Sequence, residues 1–369
     1  MKKNITNPKN LLEQRQGQDT KLISKFEDLS TPETVTNHTQ NTHEQASSKN
    51  LFVVMTANQW IDEAKNRPIP KMLFSEFWFE GEICILFADT NLGKSILAVQ
   101  IGDSISTGEQ IKGFKLEALG QSVLYFDFEL SDKQFQNRYS IDYVDEYKFS
   151  PNFKRVEINP EADIPAKKSF EDYLNDELEN EIIRTNTKIL IIDNLTYLRN
   201  ETEQAKNALP LMKHLKALKK KYDLSILVLA HTPKRDLSKP ITRNDLAGSK
   251  MLINFCDSVF TIGESSSNKN IRYLKQIKAR NTEILYDSEN VIVCHIEKPI
   301  NFLKFILVDL GTELDHLKQL TKEDKEKTKI AVLELTDKGV SNVEIGKKLG
   351  IHESTVRKYK KQNISLSDY

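Results

Sequence analysis

From Glu82 onward the chain alternates short, unbroken apolar runs with stretches of helical period. Runs at 83–87, 122–129, 188–193 and 225–231 predict strands, and 93–107, 132–138 and 203–221 predict helices between them. Strands that are apolar at every position are buried on both faces, so the alternation predicts a parallel sheet with crossover helices. Later runs at 256–262, 271–279, 289–297 and 301–309 have few helices between them and predict a mostly antiparallel continuation of the same sheet. The flanks read differently. Residues 1–50 carry isolated apolar positions among Asn, Gln, Thr, Ser, Lys and Glu, too few to bury a core, and are expected to be a disordered polar tail. Order is expected from Leu51, where Thr56-Ala57-Asn58-Gln59 has capping-box spacing for a short helix that ends before Arg67-Pro68-Ile69-Pro70. Toward the C-terminus, 322–335 predicts a helix stopped at Gly339, and Ser341-Asn342-Val343-Glu344 forms a second capping box. The expected divisions are a tail over 1–50, an α/β domain over 51–315 and a small all-helical domain over 322–363. No internal repeat is visible.

Charge and cysteine content narrow this little. The chain has 53 Lys plus Arg against 53 Asp plus Glu, so any contact with nucleic acid must come from local basic patches. Cys84, Cys256 and Cys294 all lie inside apolar runs with no Cys-x-x-Cys pairing, and read as buried thiols of a reducing compartment. No apolar stretch has the length of a membrane span, so the expectation is a cytoplasmic protein with no membrane partner.

The chemistry is concentrated at strand ends. After Ile83-Cys84-Ile85-Leu86-Phe87 comes Ala88-Asp89-Thr90-Asn91-Leu92-Gly93-Lys94-Ser95, and helical period begins at Ile96. This is the spacing of a phosphate-binding loop: backbone N–H groups at a helix N-terminus cradle phosphates, Lys94 reaches the β- and γ-phosphates, and the Ser95 hydroxyl meets Mg²⁺. ATP and Mg²⁺ are the expected cofactors. Ala88 stands where the pattern has a glycine, which requires negative φ there. The strand 188–193 ends in Asp193, at the edge where a carboxylate can hold the Mg²⁺ shell or simply cap a turn. Glu129 closes the strand that begins at Ser122 and is placed to deprotonate a water attacking the γ-phosphate, with Asp127 its competitor. His231 ends the strand 225–231, where a neutral imidazole can sense the γ-phosphate.

These residues lie in segments that resemble RecA-fold ATPases of the hexameric helicase group, nearest the RepA-like plasmid replicative helicases. The segments are TANQW (56–60), FEGEICILFADTNLGKS (79–95), YFDFELSDKQFQNR (125–138), ILIIDNL (189–195), LAHTPK (229–234), DLAGSK (245–250) and KAR (278–280). The resemblance covers roughly 51–310. It implies a RecA-like core, Glu129 as catalytic base, Arg138 as a nucleotide contact, and Lys278 and Arg280 as basic groups inserted into a neighbouring subunit's site. Their plain alternative is two surface charges on an edge strand. It also implies that the loop 232–245 faces a ring channel, where Lys234, Arg235, Lys239 and Arg243 would hold single-stranded DNA; a solvated charged loop is the alternative, since the loop has no aromatic residue.

Residues 341–361 fit a helix-turn-helix. Ile345, Leu349, Ile351, Val356 and Tyr359 supply the inner face, Gly346 the helix crossing and Gly350 the turn. The second helix, from Glu353, would expose Ser354, Thr355, Arg357, Lys358, Lys360 and Lys361 toward duplex DNA, with protein docking as the other use. The expected whole is a homo-oligomer, a hexamer favoured, that hydrolyses ATP and acts on DNA as a helicase serving replication or maintenance of a plasmid or other mobile element. The competing expectations are an ATP-dependent DNA-binding switch or transcription regulator that does not translocate, and a nucleotide-gated scaffold.

Overall fold

The structure is a computed structural model that describes residues 52–194, 208–233, 235–246, 249–319, 322–349 and 351–364. The tail expected over 1–50 lies outside the described residues; the described residues up to Arg67 form one compact unit and those from Pro68 another. In the first, helix α1 (Ala57–Lys65) is closed at its start by the predicted capping box of Thr56 and Gln59.

In the second unit the strands are β1 (Met72–Phe74), β2 (Trp78–Phe79), β3 (Ile83–Ala88), β4 (Val123–Asp127), β5 (Ser140–Ile141), β6 (Asp145–Glu146), β7 (Phe153–Val156), β8 (Ile189–Asp193), β9 (Ser225–His231), β10 (Ser258–Glu264), β11 (Ile271–Lys278), β12 (Val291–Glu297) and β13 (Lys304–Gly311). Nine of them form one sheet in the order β13-β12-β11-β10-β3-β9-β8-β4-β7. Strands β10, β3, β9, β8, β4 and β7 are parallel, and β11 to β13 extend the sheet antiparallel. Helices α2 (Lys94–Thr107), α3 (Asp132–Arg138), α4 (Phe170–Thr185), α5 (Ala208–Tyr222) and α6 (Ser249–Phe255) connect them.

Side-chain alternation explains the unbroken apolar runs. Cys84, Leu86 and Ala88 of β3 face the layer containing α2, while Ile83, Ile85 and Phe87 face the layer containing α4 and α5. Strands β8 and β9 divide likewise, and each large side chain buried this way contributes roughly 1.5–3 kcal/mol. The three cysteines are free and buried within these layers. Among the described residues no helix is long and apolar enough to cross a membrane.

The expected strand over 122–129 is shorter than its apolar pattern. It ends at Asp127, whose carboxylate accepts from the N–H groups of Glu129 (3.2 Å) and Leu130 (3.0 Å) and turns the chain out of the sheet. The strand expected at 301–309 starts at Lys304, because Leu303 N–H is drawn to Arg138 O (3.1 Å). Residues 203–207 of the expected helix lie outside the described residues; its described part is α5.

The C-terminal helices α7 (Lys322–Asp337), α8 (Asn342–Leu349) and α9 (Glu353–Ile364) enclose a small core of Val332, Ile345 and Val356, packed by Leu335, Val340, Leu349, Ile351 and Tyr359. The predicted inner face is the observed one. Ser341 and Glu344 exchange the capping-box hydrogen bonds, and a Cβ on Gly346 would lie 2.8 Å from Ile351 O, so the crossing needs glycine. Gly350 lies outside the described residues.

One buried acid makes stability depend on pH. Asp103 of α2 accepts from the Tyr147 hydroxyl (2.8 Å) through Oδ2, and its Oδ1 has no partner; burial pushes its pKa up to about 6 from 3.8. The folded state therefore holds this proton after the unfolded chain has lost it, so stability falls as pH rises from about 4 to about 6 and the penalty persists above. Asp103→Asn is expected to gain stability over the parent by up to roughly 3 kcal/mol above pH 7 and to lose that advantage near pH 4, measured by urea unfolding at both pH values.

Candidate functional site

Parallel pairing brings the carboxyl ends of β3, β9, β8 and β4 to one edge, and the polar residues that follow them converge there. Ala88 closes β3 as an ordinary strand residue, paired with His231 and Ile262, which is why alanine is tolerated in place of glycine. Asn91 and Gly93 have positive φ (62° and 94°), curling the loop so that α2 starts at Lys94. Gly93 also has no room for a Cβ, which would meet Ile296 Cδ1 at 2.8 Å and Phe305 at 3.0 Å. Lys94 Nζ donates to Ala88 O (3.0 Å) and Asp89 O (2.9 Å), and burial lowers its pKa.

Asp193 is buried at the end of β8. The Tyr125 hydroxyl donates to its Oδ2 (2.7 Å) and the Ser95 side chain also bonds the carboxylate, while Oδ1 has no hydrogen-bond partner. Burial raises its pKa to about 6. An unpaired buried carboxylate oxygen beside a serine hydroxyl and a phosphate loop is the donor set that suits a hydrated Mg²⁺ carried by a nucleotide. Among the described residues there is no cluster of three or more His, Cys, Asp or Glu side chains that could hold a metal ion.

Glu129 follows the turn after β4. The Asn194 amide donates to its Oε1, and His231 Nε2 lies 3.3 Å from the same oxygen; the bond to His231, chiefly, holds its pKa below the ordinary value. Asn194 Nδ2 is also 3.0 Å from His231 Nε2. A cavity of about 470 Å³ is lined by Thr90, Asn91, Gly93, Lys94 and Ser95 of the loop together with Glu129, Arg138 and His231. Three separated stretches of sequence thus supply one cavity. A cavity of about 610 Å³ elsewhere, against Phe126, Leu178 and Ile192, is mostly apolar, and its charged lining residues, Glu157, Glu177 and Glu181, are all acidic and repel phosphate.

Two residues absent from the sequence expectations organise this site. Arg155 of β7 bonds Asp127 Oδ2 (2.9 Å), Asp132 Oδ1 (2.8 Å), Leu130 O (2.6 Å) and Glu157, locking the turn that carries Glu129. Asp127, the competitor to Glu129, is consumed by that role and does not line the cavity. The other is Asn194, whose only signal was its place after a strand-terminal acid.

Lys278 and Arg280 are elsewhere. Lys278 pairs with Val259 at the start of β10, and Asp257 N–H bonds Ile83 O at the start of β3, so both basic residues sit at the amino edge of the parallel strands. Lys278 Nζ donates to Ile253 O (2.6 Å) and Cys256 O (2.7 Å), and Arg280 pairs with Asp257 (2.9 Å). Neither reaches the phosphate loop of its own chain. In the loop after β9, Lys234 lies outside the described residues; Arg235 donates to Lys239 O (3.1 Å), Lys239 pairs with Asp236 (3.2 Å), and Arg243 is exposed in a single 3₁₀ turn. The loop is anchored by Ile241, whose N–H bonds Glu313 (2.6 Å) and whose carbonyl takes Lys275 (2.8 Å).

On α9, Ser354, Arg357, Lys358 and Lys361 are exposed, Arg357 pairing with Glu353 (2.7 Å). Thr355 and Lys360 are half-buried rather than exposed, and Lys360 donates to Asn342 across the turn. His352 Nδ1 accepts from Ser354 N–H (3.2 Å) and caps the helix.

A phosphate loop, an acid two strands away and a glutamate just after the strand beyond it, on a sheet continued antiparallel, define a P-loop ATPase of RecA fold with a C-terminal helix-turn-helix. Residues 52–236 match the family described as an AAA domain and 323–364 a homeodomain-like domain; the first match spans half the chain, which belongs to that AAA-domain family. Among solved structures it is similar to a KaiC-like protein, PH0186, from the hyperthermophilic archaeon Pyrococcus horikoshii OT3, at 14% identity and a TM-score of 0.44 over 62% of this chain and 91% of that one. No curated protein matches it.

Removing Arg155 leaves Asp127 buried without its counter-ion, held only by two backbone N–H groups. Arg155→Ala is expected to cost roughly 3 kcal/mol in denaturant unfolding, and adding Asp127→Asn to it is expected to restore part of that loss.

Proposed function

We propose that the chain is an ATP-hydrolysing motor of the RepA-like helicase type that acts on DNA in replication or maintenance of a plasmid or other mobile element. The observation that carries the catalytic part is the convergence of Lys94, Ser95, Glu129, Arg138 and His231 on one cavity beside Asp193. On binding ATP, Lys94 exchanges its two backbone carbonyls for phosphate oxygens, and the loop N–H groups cradle the phosphates. Ser95 and Asp193 would hold Mg²⁺, which neutralises phosphate charge when bound. Glu129, kept ionised by its neighbours, takes the proton of the attacking water; His231 hydrogen-bonds the γ-phosphate; Arg138 contacts the nucleotide.

The amino-edge position of Lys278 and Arg280 supports action in trans, since a basic group there can meet a nucleotide only on another subunit, and a ring of identical subunits, a hexamer favoured, supplies that geometry. The anchored loop with Arg235, Lys239 and Arg243 is the proposed single-strand contact, joined by Lys234, and Ser354, Thr355, Arg357, Lys358 and Lys361 the proposed duplex contacts. The helix-turn-helix favours a second reading, an ATP-dependent switch or transcription regulator that does not translocate, because a translocating motor has no inherent need to read duplex sequence.

Steady-state ATP hydrolysis with no DNA, single-stranded DNA and duplex DNA, alongside solution mass with and without nucleotide, separates the readings. Strong single-strand stimulation of a ring-sized particle is expected; turnover indifferent to single strands with nucleotide-dependent duplex binding would favour the switch. Lys94→Ala is expected to lose ATP binding, and Glu129→Gln to keep ATP affinity while losing about a hundredfold or more in kcat. Arg280→Ala is expected to be inactive alone but to regain turnover when mixed with Lys94→Ala subunits, as the intact finger of one completes the intact loop of the other.

A further inference from the structure

Strand β8 lies between β9 and β4, so the residue that leaves its carboxyl end stands between His231 and Glu129. That residue is Asn194, 5% exposed. Its carboxamide nitrogen donates to Glu129 Oε1 and lies 3.0 Å from His231 Nε2, and the imidazole Nε2 is itself 3.3 Å from the same carboxylate oxygen. We propose that Asn194 is a positioning residue that fixes the base Glu129 and links it to the phosphate-sensing His231. The inference rests on the roles given to those two residues above.

A carboxamide suits this place for a chemical reason. Its nitrogen carries two hydrogens, so one can serve the glutamate while the other serves the imidazole. In the tautomer protonated on Nδ1 the ring Nε2 accepts from the amide, and in the tautomer protonated on Nε2 it donates to Glu129 Oε1 instead, so the three groups are linked in either form. When a γ-phosphate draws the imidazole away, the carboxylate loses that neighbour and keeps the amide, so Oε1 stays tethered and Oε2 remains available to a water. Glu129 sits on an exposed turn with a side chain 38% exposed, and without this tether it has several rotamers open to it. An aspartate at 194 would match the shape of asparagine but offer a carboxylate to a carboxylate.

The test is a mutant cycle on the full chain with fluorescent-nucleotide binding, steady-state kinetics and single-turnover hydrolysis. Asn194→Ala is expected to bind ATP within about twofold of the parent, with kcat lowered about tenfold or more and KM unchanged. Asn194→Asp, which keeps the shape, is expected to be at least as slow. In a Glu129→Gln background, Asn194→Ala is expected to remove nothing further, because a residue acting through Glu129 has no effect once the base is gone. Unchanged kcat in Asn194→Ala, an active Asn194→Asp, or an equal loss in both backgrounds would overturn the proposal. Turnover surviving in Glu129→Gln would instead remove the base assignment on which it rests, so the two failures are distinguishable.

Discussion

Six parallel strands cannot choose where their polar ends go. Parallel pairing in register sends every carboxyl terminus to the same edge, and any acid or imidazole placed there must find a partner in a setting where the apolar strands have already excluded water. Asp193 shows the cost: its carboxylate is buried, one oxygen is unpaired, and its pKa is raised to about 6. Lys94, pushed the other way by the same burial, leans on carbonyls of its own loop. A polyanion with a divalent cation relieves both groups at once, so the strain of the edge is itself a reason for nucleotide affinity.

The antiparallel extension contributes more than width. Ile296 and Phe305, at the end of β12 and the start of β13, close over Gly93, and the Gln100 side chain bonds both N–H (2.8 Å) and O (3.0 Å) of Phe305. A few residues farther along, the buried pair of Lys275 on β11 and Glu313 beyond β13 grips Ile241 in the loop after β9. One extension therefore contacts the phosphate loop and also holds the proposed DNA loop. Movement of either is resisted by the other through packed side chains, which is a physical route for coupling on the proposed reading.

What was legible in the sequence follows from range. The phosphate loop, the apolar strands ending in Asp193 and His231, and the helix-turn-helix core are local patterns, and the folded chain keeps each of them. Glu129 and Arg138 lie in one stretch and both line the cavity. Arg155 and Asn194 were not legible, because an arginine on a four-residue edge strand and an amide after a strand acquire meaning only from partners such as Asp127 and His231, 28 and 37 positions away. Helix α4 was missed although Ser169 caps it through Asp172 N–H; its apolar positions, Leu178 and Ile182 among them, are diluted by acids.

The two edges of the sheet carry different groups, and that difference bears on assembly. The carboxyl edge holds Glu129 at the cavity lined by the phosphate loop, with Asp193 beside it, while Lys278 and Arg280 occupy the amino edge. A single chain cannot bring these groups together, because the length of the sheet lies between them. Two chains related by a simple rotation that sets the amino edge of one against the carboxyl edge of the next can do so, and the contact is heterologous, with different surfaces on its two sides. Such a contact repeats around a ring or along a filament and never closes as a twofold dimer. On the proposed reading the polarity of parallel pairing therefore sets both where ATP sits and how one copy must meet another.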